Sequence, residues 1–290
     1  RAMLSRTDPQ LVRTCAELQR WSAETRASGR RIALVPTMGA LHEGHLSLVQ
    51  AGHRLADRVV VSIFVNPTQF GPAEDFARYP RDLARDVESL RKVGTDVVFT
   101  PSVEEIYPSG DATWVTVERL TSGLCGSSRP GHFRGVTTVV ARLFNAARPH
   151  VAVFGEKDYQ QLAVIRRMTR DLCFGIEIVG GPIVREPDGL AMSSRNAFLS
   201  SRARQQATAL NAALHEARAL VRAGVRDAAS VCAEARRRIE KEPLAEIDYV
   251  QLVDAESLEP VRQVAGRSVL ALAVRFEGTR LIDNAILEAP

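Results

Sequence analysis

The sequence contains no apolar run that approaches the ~18–20 residues a membrane-spanning helix needs. Its N-terminal residues also lack the apolar core of a secretory signal. The four cysteines, Cys15, Cys125, Cys173 and Cys232, are too far apart to form a metal-ligand motif. Scattered cysteines favour reduced thiols over a disulfide framework. We therefore expect a cytoplasmic enzyme-sized protein rather than a membrane or secreted one.

Lysine is also scarce, since only Lys92, Lys157 and Lys241 occur among 38 lysines and arginines. An ammonium is a compact point charge and a guanidinium a planar fork, so a lysine kept in an arginine-rich chain can mark a position that needs the ammonium. The net charge is +4 and aromatics make up 6% of the residues. Because the cations are scattered among acids, a basic surface is favoured over a nucleic-acid site.

Strand-like and helix-like segments alternate over the first two thirds of the chain. Apolar, β-rich runs lie at 31–36, 57–66, 95–101, 112–117, 150–158 and 176–184, and helical patterns at 44–56, 80–94, 135–149 and 159–172. This alternation predicts an α/β fold with a Rossmann-like parallel sheet over residues 1–184. Helical patterns at 200–224 and 227–242 and strand-like segments at 247–254 and 268–287 then predict a smaller C-terminal α+β domain over 185–290.

The first candidate site is PTMGALHEGH, which joins a predicted strand to a predicted helix. Gly39 and Gly44 have the spacing of a phosphate-binding P-loop, but His45 and Leu46 occupy the positions of its Lys and Ser/Thr. A helix N-terminus suits an anion, and an imidazole there can donate to phosphate oxygens as charge develops. Phosphate chemistry is therefore favoured. A metal pair, for which HExxH is the usual helical spacing, and histidines without a role stay as alternatives.

Neutral polar side chains follow the second predicted strand. Asn66, Thr68 and Gln69 lie in FVNPTQFG, in an otherwise apolar setting. Such groups suit the hydroxyls and the carboxylate of a small substrate. The alternative is a simple turn built by the Asn-Pro pair.

A third segment, FGEKDYQQ, follows a later strand and contains one of the three lysines. Lys157 lies between Glu156 and Asp158 at a strand-to-helix junction, from which its ammonium can reach a phosphate. Asp158 can hold a ribose hydroxyl or the lysine itself. A solvated charged cap is the alternative.

The fourth segment, AMSSRN, opens the predicted C-terminal domain. Ser193, Ser194 and Arg195 are interpreted as a mobile anion clamp, because the planar arginine fork fits phosphate oxygens. The alternative is that a serine caps a helix beginning near Leu199.

Taken together, these motifs resemble a known family. HEGH is similar to the HIGH signature of class I aminoacyl-tRNA synthetases and adenylyltransferases, and MSSRN is similar to their KMSKS loop. VPTMGALHEGH, SIFVNPTQF, RPGHFRGV, FGEKDYQQ and MSSRN, in this order, resemble the pantothenate synthetase family over essentially the whole chain. One departure is Thr68, where the family often carries Met.

The resemblance implies a two-step, AMP-forming ligase reaction. Pantoate and MgATP form pantoyl-adenylate and pyrophosphate, and β-alanine then attacks the mixed anhydride to give pantothenate and AMP. Activation is needed because a carboxylate has no adequate leaving group, and one pocket that holds both partners replaces a bimolecular encounter by a positioned attack. The resemblance also implies a homodimer, with ATP as substrate and Mg²⁺ carried mainly on its phosphates.

The resemblance further implies roles for individual residues. The implied catalytic residues are His45, His42, Lys157 and Arg195, with proton donation assigned to His45. The implied ATP-binding residues are Met38, Gly39, Ala40, Leu41, His42, Glu43, Gly44, His45, Gly155, Glu156, Lys157, Asp158, Val184, Met192, Ser193, Ser194 and Arg195. The implied substrate-binding residues are Gln69, Gln161, His132 and Arg129. Asp82 and Asp86 are candidate Mg²⁺ ligands by position.

Two rival functions stay open at this point. A nucleotidyltransferase of the same HxGH type would act on a phosphorylated acceptor and would need a cationic acceptor pocket, whereas NPTQF and YQQ offer neutral amides. An RNA-binding module would need a basic extension or an aromatic platform, and neither is apparent. We therefore expect small-molecule substrates, no nucleic-acid or membrane partner, and a C-terminal domain that closes as a lid around REPDG.

Overall fold

The computed structural model describes residues 8–72 and 74–289. The chain divides into two compact units. The first unit comprises the chain up to Val117 together with Arg129–Glu156 and Val164–Pro182, and the second comprises Glu118–Ser128, Lys157–Ala163 and the chain from Ile183 onward. The last change of unit lies next to the boundary that the sequence predicts between residues 184 and 185. The two short earlier segments of the second unit have no counterpart in that prediction.

The units contain nine strands and ten helices within the described residues. The strands are β1 (Gln10–Val12), β2 (Ile32–Thr37), β3 (Arg58–Ile63), β4 (Val97–Phe99), β5 (Val151–Gly155), β6 (Glu177–Gly181), β7 (Ala245–Asp254), β8 (Arg267–Phe276) and β9 (Thr279–Glu288). The helices are α1 (Cys15–Ala27), α2 (Glu43–Leu55), α3 (Leu83–Lys92), α4 (Val103–Ile106), α5 (Cys125–Ser128), α6 (His132–Ala147), α7 (Tyr159–Asp171), α8 (Ser201–Gln206), α9 (Ala209–Arg222) and α10 (Ala228–Ile239). No helix among the described residues is both long enough and apolar enough to cross a bilayer.

The first unit is built on a six-stranded sheet in the order β1-β4-β3-β2-β5-β6, and its neighbouring strands pair in parallel. The run RVVVSI of β3 is buried at its four central residues, as expected for a strand covered on both faces by helices. The second unit carries an antiparallel sheet, β7-β8-β9. The predicted fold class, a Rossmann-like parallel sheet with a smaller C-terminal α+β domain, is confirmed.

The centre of the parallel sheet opens at its carboxyl end, between β2 and β5. β2 pairs with β3 from Ile32 to Thr37, but with β5 only at Ala33 and Leu34. The Ile32 carbonyl accepts a hydrogen bond from the β5 side, at His150, and the Thr37 carbonyl accepts one from the β3 side, at Phe64. Because backbone groups alternate in direction along a strand, Pro36 faces β5 with no N–H to donate. The strand order reverses here, where open α/β sheets bind ligands.

The strand predicted at residues 112–117 is wrong. The segment is irregular, because α6 satisfies its backbone instead of a neighbouring strand. The N–H of Val115 donates to Thr138 Oγ1 at 3.0 Å, and its carbonyl accepts from the Thr137 hydroxyl at 2.6 Å. Two threonine hydroxyls thus replace the ladder that a strand would supply.

The second unit packs its helices against its small sheet. Its buried core combines small and aliphatic side chains of α8, α9 and α10 with those of β7, β8 and β9. The single helical pattern predicted over 200–224 is two helices, since α8 ends at Gln206 and α9 begins at Ala209. β8 and β9 are joined by Glu277 and Gly278, both with positive φ (50° and 81°), which is the backbone of a tight two-residue hairpin.

Candidate active site

The turn that follows β2 is shaped by a buried carboxylate from α3. Asp86 accepts the backbone N–H of Ala40 at 2.9 Å and that of Leu41 at 2.8 Å, and its residue is 3% exposed. A Cβ at Gly39, whose φ is +80°, would lie 2.9 Å from Asp86 Oδ2, so this position needs glycine for both its dihedral and its space. Burial raises the pKa of Asp86, and the two N–H groups oppose that shift.

The predicted Mg²⁺ ligands, Asp82 and Asp86, thus both have structural partners. Asp82 Oδ1 accepts the N–H of Arg85 at 3.1 Å and caps α3. Among residues 8–72 and 74–289, no three His, Cys, Asp or Glu side chains are grouped so as to hold a metal ion. The side chains present therefore do not fit a metal site built from protein ligands alone, and a ligand role for either aspartate stays a prediction.

His42 and His45 form an imidazole version of a capping box at the start of α2. His42 is the N-cap residue, and its Nδ1 accepts the N–H of Gly44 at 3.2 Å. His45, at N3, accepts the N–H of His42 through its own Nδ1 at 3.3 Å. Because a backbone N–H only donates, each neutral ring carries its proton on Nε2. The spacing of HEGH therefore supplies two Nε2–H donors at a helix N-terminus, where an anion is favoured.

The side chain of Gln69 is held in one orientation beside this turn. Its Oε1 accepts from Asn66 Nδ2 at 3.0 Å, and its Nε2 donates to Met38 Sδ at 3.3 Å. Asn66 is 1% exposed, and its Nδ2 also donates to the Gly135 carbonyl at 3.1 Å, which fixes the amide of Asn66. The NH₂ end of Gln69 is consequently the end that remains a donor for a ligand.

Thr68 supports the same arrangement. Its hydroxyl donates to Asn66 Oδ1 at 2.9 Å and lies 3.0 Å from the Tyr107 hydroxyl, which itself donates to Asn66 Oδ1 at 2.8 Å. Burial raises the pKa of Tyr107. Thr68 therefore adds a hydroxyl to the hydrogen-bond network that holds Asn66, the partner of Gln69.

Arg129 and His132 are tied to the same loop by an ion pair. Arg129 binds Glu74 with both of its nitrogens Nε and Nη2, at 2.6 and 2.8 Å. His132 Nδ1 donates to the Gln69 carbonyl at 2.9 Å, so its Nε2 is the acceptor that faces Arg129 Nη1 at 3.2 Å. Burial disfavours the Glu74 carboxylate, but hydrogen bonds from Arg129 and from the Gly71 backbone outweigh burial and lower its pKa to about 2.

Lys157 and Asp158, in the second unit, lie in the short turn that directly precedes α7. Lys157 Nζ lies 3.8 Å from Asp158 Oδ2, and the lysine side chain is 22% exposed. The Lys157 carbonyl accepts from Asn284 Nδ2 at 2.9 Å, and Tyr159 donates through its hydroxyl to the Ala255 carbonyl at 2.9 Å. Lys157 is thus mostly buried and anchored to the C-terminal sheet, which a freely solvated charged cap would not be.

The loop that bears MSSRN is anchored to the same sheet. Arg185 binds the buried carboxylate of Asp283 through two nitrogens, at 2.6 and 2.9 Å. Arg185 also pairs with Ala191 in an antiparallel bridge, and the N–H of Met192 donates to the Val184 carbonyl at 3.0 Å. The predicted nucleotide contacts Val184 and Met192 are therefore held side by side by a backbone bond.

The capping interpretation of the serines has a counterpart in the structure. Ser193 Oγ accepts the N–H of Arg195 at 3.3 Å and caps a short 3₁₀ turn at Ser194–Phe198. The helix predicted near Leu199 begins at Ser201, capped by Ser200. Serine capping thus accounts for the local backbone of MSSRN. It does not involve the guanidinium of Arg195, whose role as an anion clamp stays a prediction.

Sequence reasoning misses several residues that hold these loops. Gln160, beside the predicted Gln161, donates through Nε2 to the carbonyls of Leu120 and Gly123 and accepts the N–H of Cys125 through Oε1. The partners of Gln160 lie 35–40 residues away in sequence, so no local sequence pattern predicts these contacts. Glu74 is missed for the same reason, since its arginine lies 55 residues away.

The predicted residues therefore fall into separate groups. In the first unit, the structure links Met38, Gln69, Arg129 and His132 through the contacts above, and places His42 and His45 on the turn held by Asp86. Gly155 ends β5, and Glu156 opens the 3₁₀ turn that follows it. In the second unit, Val184 and Met192 are hydrogen-bonded neighbours and Lys157 contacts Asp158.

The chain matches known proteins over nearly its whole length. The profile of the Pantoate-beta-alanine ligase family matches residues 10–286. The chain is 57% identical over 279 residues to the pantothenate synthetase of Heliobacterium modesticaldum, covering 96% of this chain and 99% of that protein. It is also 57% identical to the pantothenate synthetase of Moorella thermoacetica, with coverages of 96% and 99%.

Solved structures give the same result. The crystal structure of pantothenate synthetase from Thermus thermophilus has a TM-score of 0.89 at 48% sequence identity and covers 95% of this chain and 98% of that chain. The pantoate-beta-alanine ligase of Francisella tularensis, complexed with beta-gamma ATP and beta-alanine, has a TM-score of 0.79 at 33% identity, with coverages of 96% and 97%. In agreement with the order of motifs in its sequence, the chain belongs to the pantoate–β-alanine ligase family.

Proposed function

We propose that this chain condenses pantoate with β-alanine at the expense of ATP, through a pantoyl-adenylate, and releases AMP and pyrophosphate. The observation that carries the proposal is the pair of Nε2–H donors that His42 and His45 present at the N-terminus of α2. Family membership narrows the chemistry to a ligase. The Francisella relative, complexed with beta-gamma ATP and beta-alanine, supports the choice of these two substrates.

In the first step, a pantoate carboxylate oxygen attacks the α-phosphorus of ATP, and the bond to the bridging oxygen of pyrophosphate breaks. Negative charge accumulates on the phosphate oxygens as this bond breaks. Two fixed N–H donors and the positive end of a helix stabilise the greater charge of the transition state more than that of bound ATP, which lowers the barrier. His42 and His45 therefore act as hydrogen-bond donors through Nε2–H that stabilise this charge, and Lys157 and Arg195 add cationic charge in this proposal.

The pantoate end is assigned to the amide of Gln69. Its NH₂ group is the available donor because its Oε1 is already bound by Asn66. An NH₂ donor suits the carboxylate and hydroxyl oxygens of pantoate and gives no charge to bind a phosphorylated acceptor. Gln161 is proposed as a second amide for the same ligand.

In the second step, the free amine of β-alanine attacks the acyl carbon, the amide bond forms, and AMP leaves with the electrons of the acyl–oxygen bond. The amine proton is passed to solvent. Arg129 and His132 are proposed to flank the pantoate pocket, where His132 Nε2 is held as an acceptor beside the Arg129 guanidinium. Glu74 limits how far Arg129 can move toward a ligand.

Several finer expectations belong to the same proposal. Mg²⁺ would be held mainly on the phosphates of ATP and would neutralise their charge. The C-terminal domain, residues 185–290, would close over the adenylate and exclude water. We also propose a cytoplasmic homodimer that acts on small molecules and binds neither nucleic acid nor membranes.

An exchange assay tests this function directly. Radiolabelled pyrophosphate should enter ATP only when pantoate is present, and AMP should appear only after β-alanine is added. Replacing pantoate by other small hydroxy acids provides the control panel. Exchange that ignores pantoate but requires a phosphorylated acceptor would instead identify the HxGH-type nucleotidyltransferase.

A further inference from the structure

A concavity of about 310 Å³ lies in the first unit at the amino ends of the parallel strands. Its lining includes His150, which precedes β5, and Ile176, which precedes β6. The turn that carries HEGH follows the carboxyl end of β2, roughly 17 Å away along that strand. The concavity is therefore separate from the proposed active site.

Three arginines from different parts of the sequence line this concavity: Arg26 in the last turn of α1, Arg31 before β2, and Arg148 after α6. Arg26 Nη1 donates to the Arg148 carbonyl at 2.9 Å, and this bond uses one of the five N–H donors of its guanidinium. Within residues 8–72 and 74–289, the Arg148 guanidinium has no hydrogen-bond or ion-pair partner.

The nearby acids do not neutralise all three cations. Asp57 accepts the backbone N–H of Arg31 at 2.8 Å, and Glu177 lies 4.0 Å from the Arg31 guanidinium. Neither acid lines the concavity. Both of these acids contact Arg31, and neither contacts Arg26 or Arg148 in the described chain. The positive charge of Arg26 and Arg148 therefore favours an anion in the space between them.

A histidine in the same lining is held as a neutral donor. His150 Nδ1 accepts the backbone N–H of Ile32 at 3.0 Å, so the ring proton resides on Nε2. Burial, followed by the charges of Arg26 and Arg31, lowers the pKa of His150, although Asp57 opposes that shift. Three guanidinium groups and one imidazole N–H are donors without an acceptor among them, as an oxyanion site requires.

The backbone and the floor of the concavity are consistent with a bound ligand. Arg148 adopts a left-handed conformation (φ 43°, ψ 51°) at the end of α6, a position where glycine is favoured. An arginine is thus kept where its backbone is strained. Phe144 and Phe174 meet edge to face, 5.5 Å apart, in the same lining, and the space beside Gly175 is open.

We propose that this concavity binds the phosphoryl group of a small phosphate compound between Arg26, Arg31 and Arg148, with Phe174 available to an apolar part of the ligand. The simpler account is that these arginines only complement the negative ends of α1 and α6. That account predicts no preference for phosphate over chloride, so the two accounts can be separated by measurement.

The experiment is a titration of the full chain with inorganic phosphate and, in a second arm, with phenyl phosphate, at an ionic strength held constant with chloride. Binding is followed by calorimetry and by amide hydrogen exchange. We expect slower exchange in 145–150 and 174–176 with either ligand, and tighter binding of phenyl phosphate if the natural ligand carries an apolar group. Protection limited to 38–45, or none at all, would overturn the proposal.

Substitutions complete the test. Arg148→Gln should raise the Kd at this site at least about tenfold, because a charge-assisted contact to phosphate is lost. The matched control is Arg222→Gln, which removes an exposed arginine in the last turn of α9 and should leave the Kd within about twofold. Arg148→Gly guards against misfolding, since glycine suits the left-handed backbone; it should raise the melting temperature and still weaken phosphate binding. Equal Kd values for all four proteins would refute the site.

Discussion

The ring centroids of His42 and His45 lie 4.1 Å apart, and each ring accepts a backbone N–H of the first turn of α2 through Nδ1. The two imidazoles are thereby fixed in the same tautomer by the helix that carries them. Each imidazole accepts a backbone N–H through Nδ1 and carries an N–H donor at Nε2. A side chain that only donates could not cap the helix in this way. Substitution of these histidines is therefore a direct test of the proposed chemistry.

The substitution His45→Ala should lower the rate of pantoate-dependent pyrophosphate exchange by about 10²–10³, the loss typical of one oxyanion-stabilising donor. The fold should be retained, as judged by circular dichroism. His215→Ala, on the exposed face of α9, is the matched control and should leave exchange unchanged. An exchange rate for His45→Ala within twofold of wild type would remove His45 from the mechanism.

Glu74→Gln should destabilise the protein, because it removes the partly buried carboxylate that binds Arg129. The pKa of Glu74 is lowered to about 2 from 4.5, so the carboxylate contributes stability above its unfolded-state pKa and loses it as the pH falls toward 2. Linkage gives a contribution of roughly 3 kcal/mol at neutral pH.

Urea unfolding of wild type and Glu74→Gln between pH 7 and pH 3.5 measures this contribution. The gap between their free energies of unfolding should be largest at pH 7 and should narrow below about pH 4.5. Glu256→Gln, at an exposed position, controls for the loss of one carboxylate. A gap that is constant with pH would contradict the pairing with Arg129.

Asp86→Asn should loosen the turn at Ala40 and Leu41. One of the two N–H groups that the carboxylate accepts would face an NH₂ group, which leaves a buried donor unsatisfied at a cost of about 1–3 kcal/mol. Amide exchange at these two residues should accelerate. Asp82→Asn should weaken only the cap of α3 and leave that exchange unchanged.

The same two variants test the magnesium hypothesis. If either aspartate is a Mg²⁺ ligand, its variant should require a higher Mg²⁺ concentration for half-maximal exchange of pyrophosphate. On the geometry of the turn, we expect the Mg²⁺ dependence of both variants to match that of wild type, while Asp86→Asn raises the KM for ATP.

Arg185→Ala should strongly destabilise the second unit. Asp283, whose side chain is 1% exposed, would keep a buried charge with no counter-ion, and breaking such pairs typically costs about 3–5 kcal/mol. The double variant Arg185→Ala/Asp283→Ala should cost less than the sum of the two single variants in urea unfolding. Strict additivity would show that the pair contributes no coupling.

Local sequence patterns predict the parts of this fold whose causes are local. The apolar run of β3 and the helical period of α2 act through their own side chains, and both elements are found. The segment at 112–117 has the composition of a strand, but its backbone is claimed by Thr137 and Thr138. Such competition from distant side chains cannot be read from composition.

The candidate site divides in the same way. Residue type and position at the ends of predicted strands are enough to single out HEGH, Gln69 and Lys157. Glu74 and Gln160 act on partners 35–55 residues away, so their roles depend on tertiary contacts. Asp86 could be singled out as a buried acid on α3, but only the structure assigns its carboxylate to the backbone of the turn.

Pro36 limits the pairing of β2 with β5 through its backbone rather than through a side-chain contact. A ring nitrogen without hydrogen stands where β2 would otherwise extend its ladder to β5, and the two strands are paired only at Ala33 and Leu34. Pro36 therefore cannot donate the next main-chain hydrogen bond from β2 to β5. The missing donor is a covalent property of proline, so it is the same with and without a bound substrate.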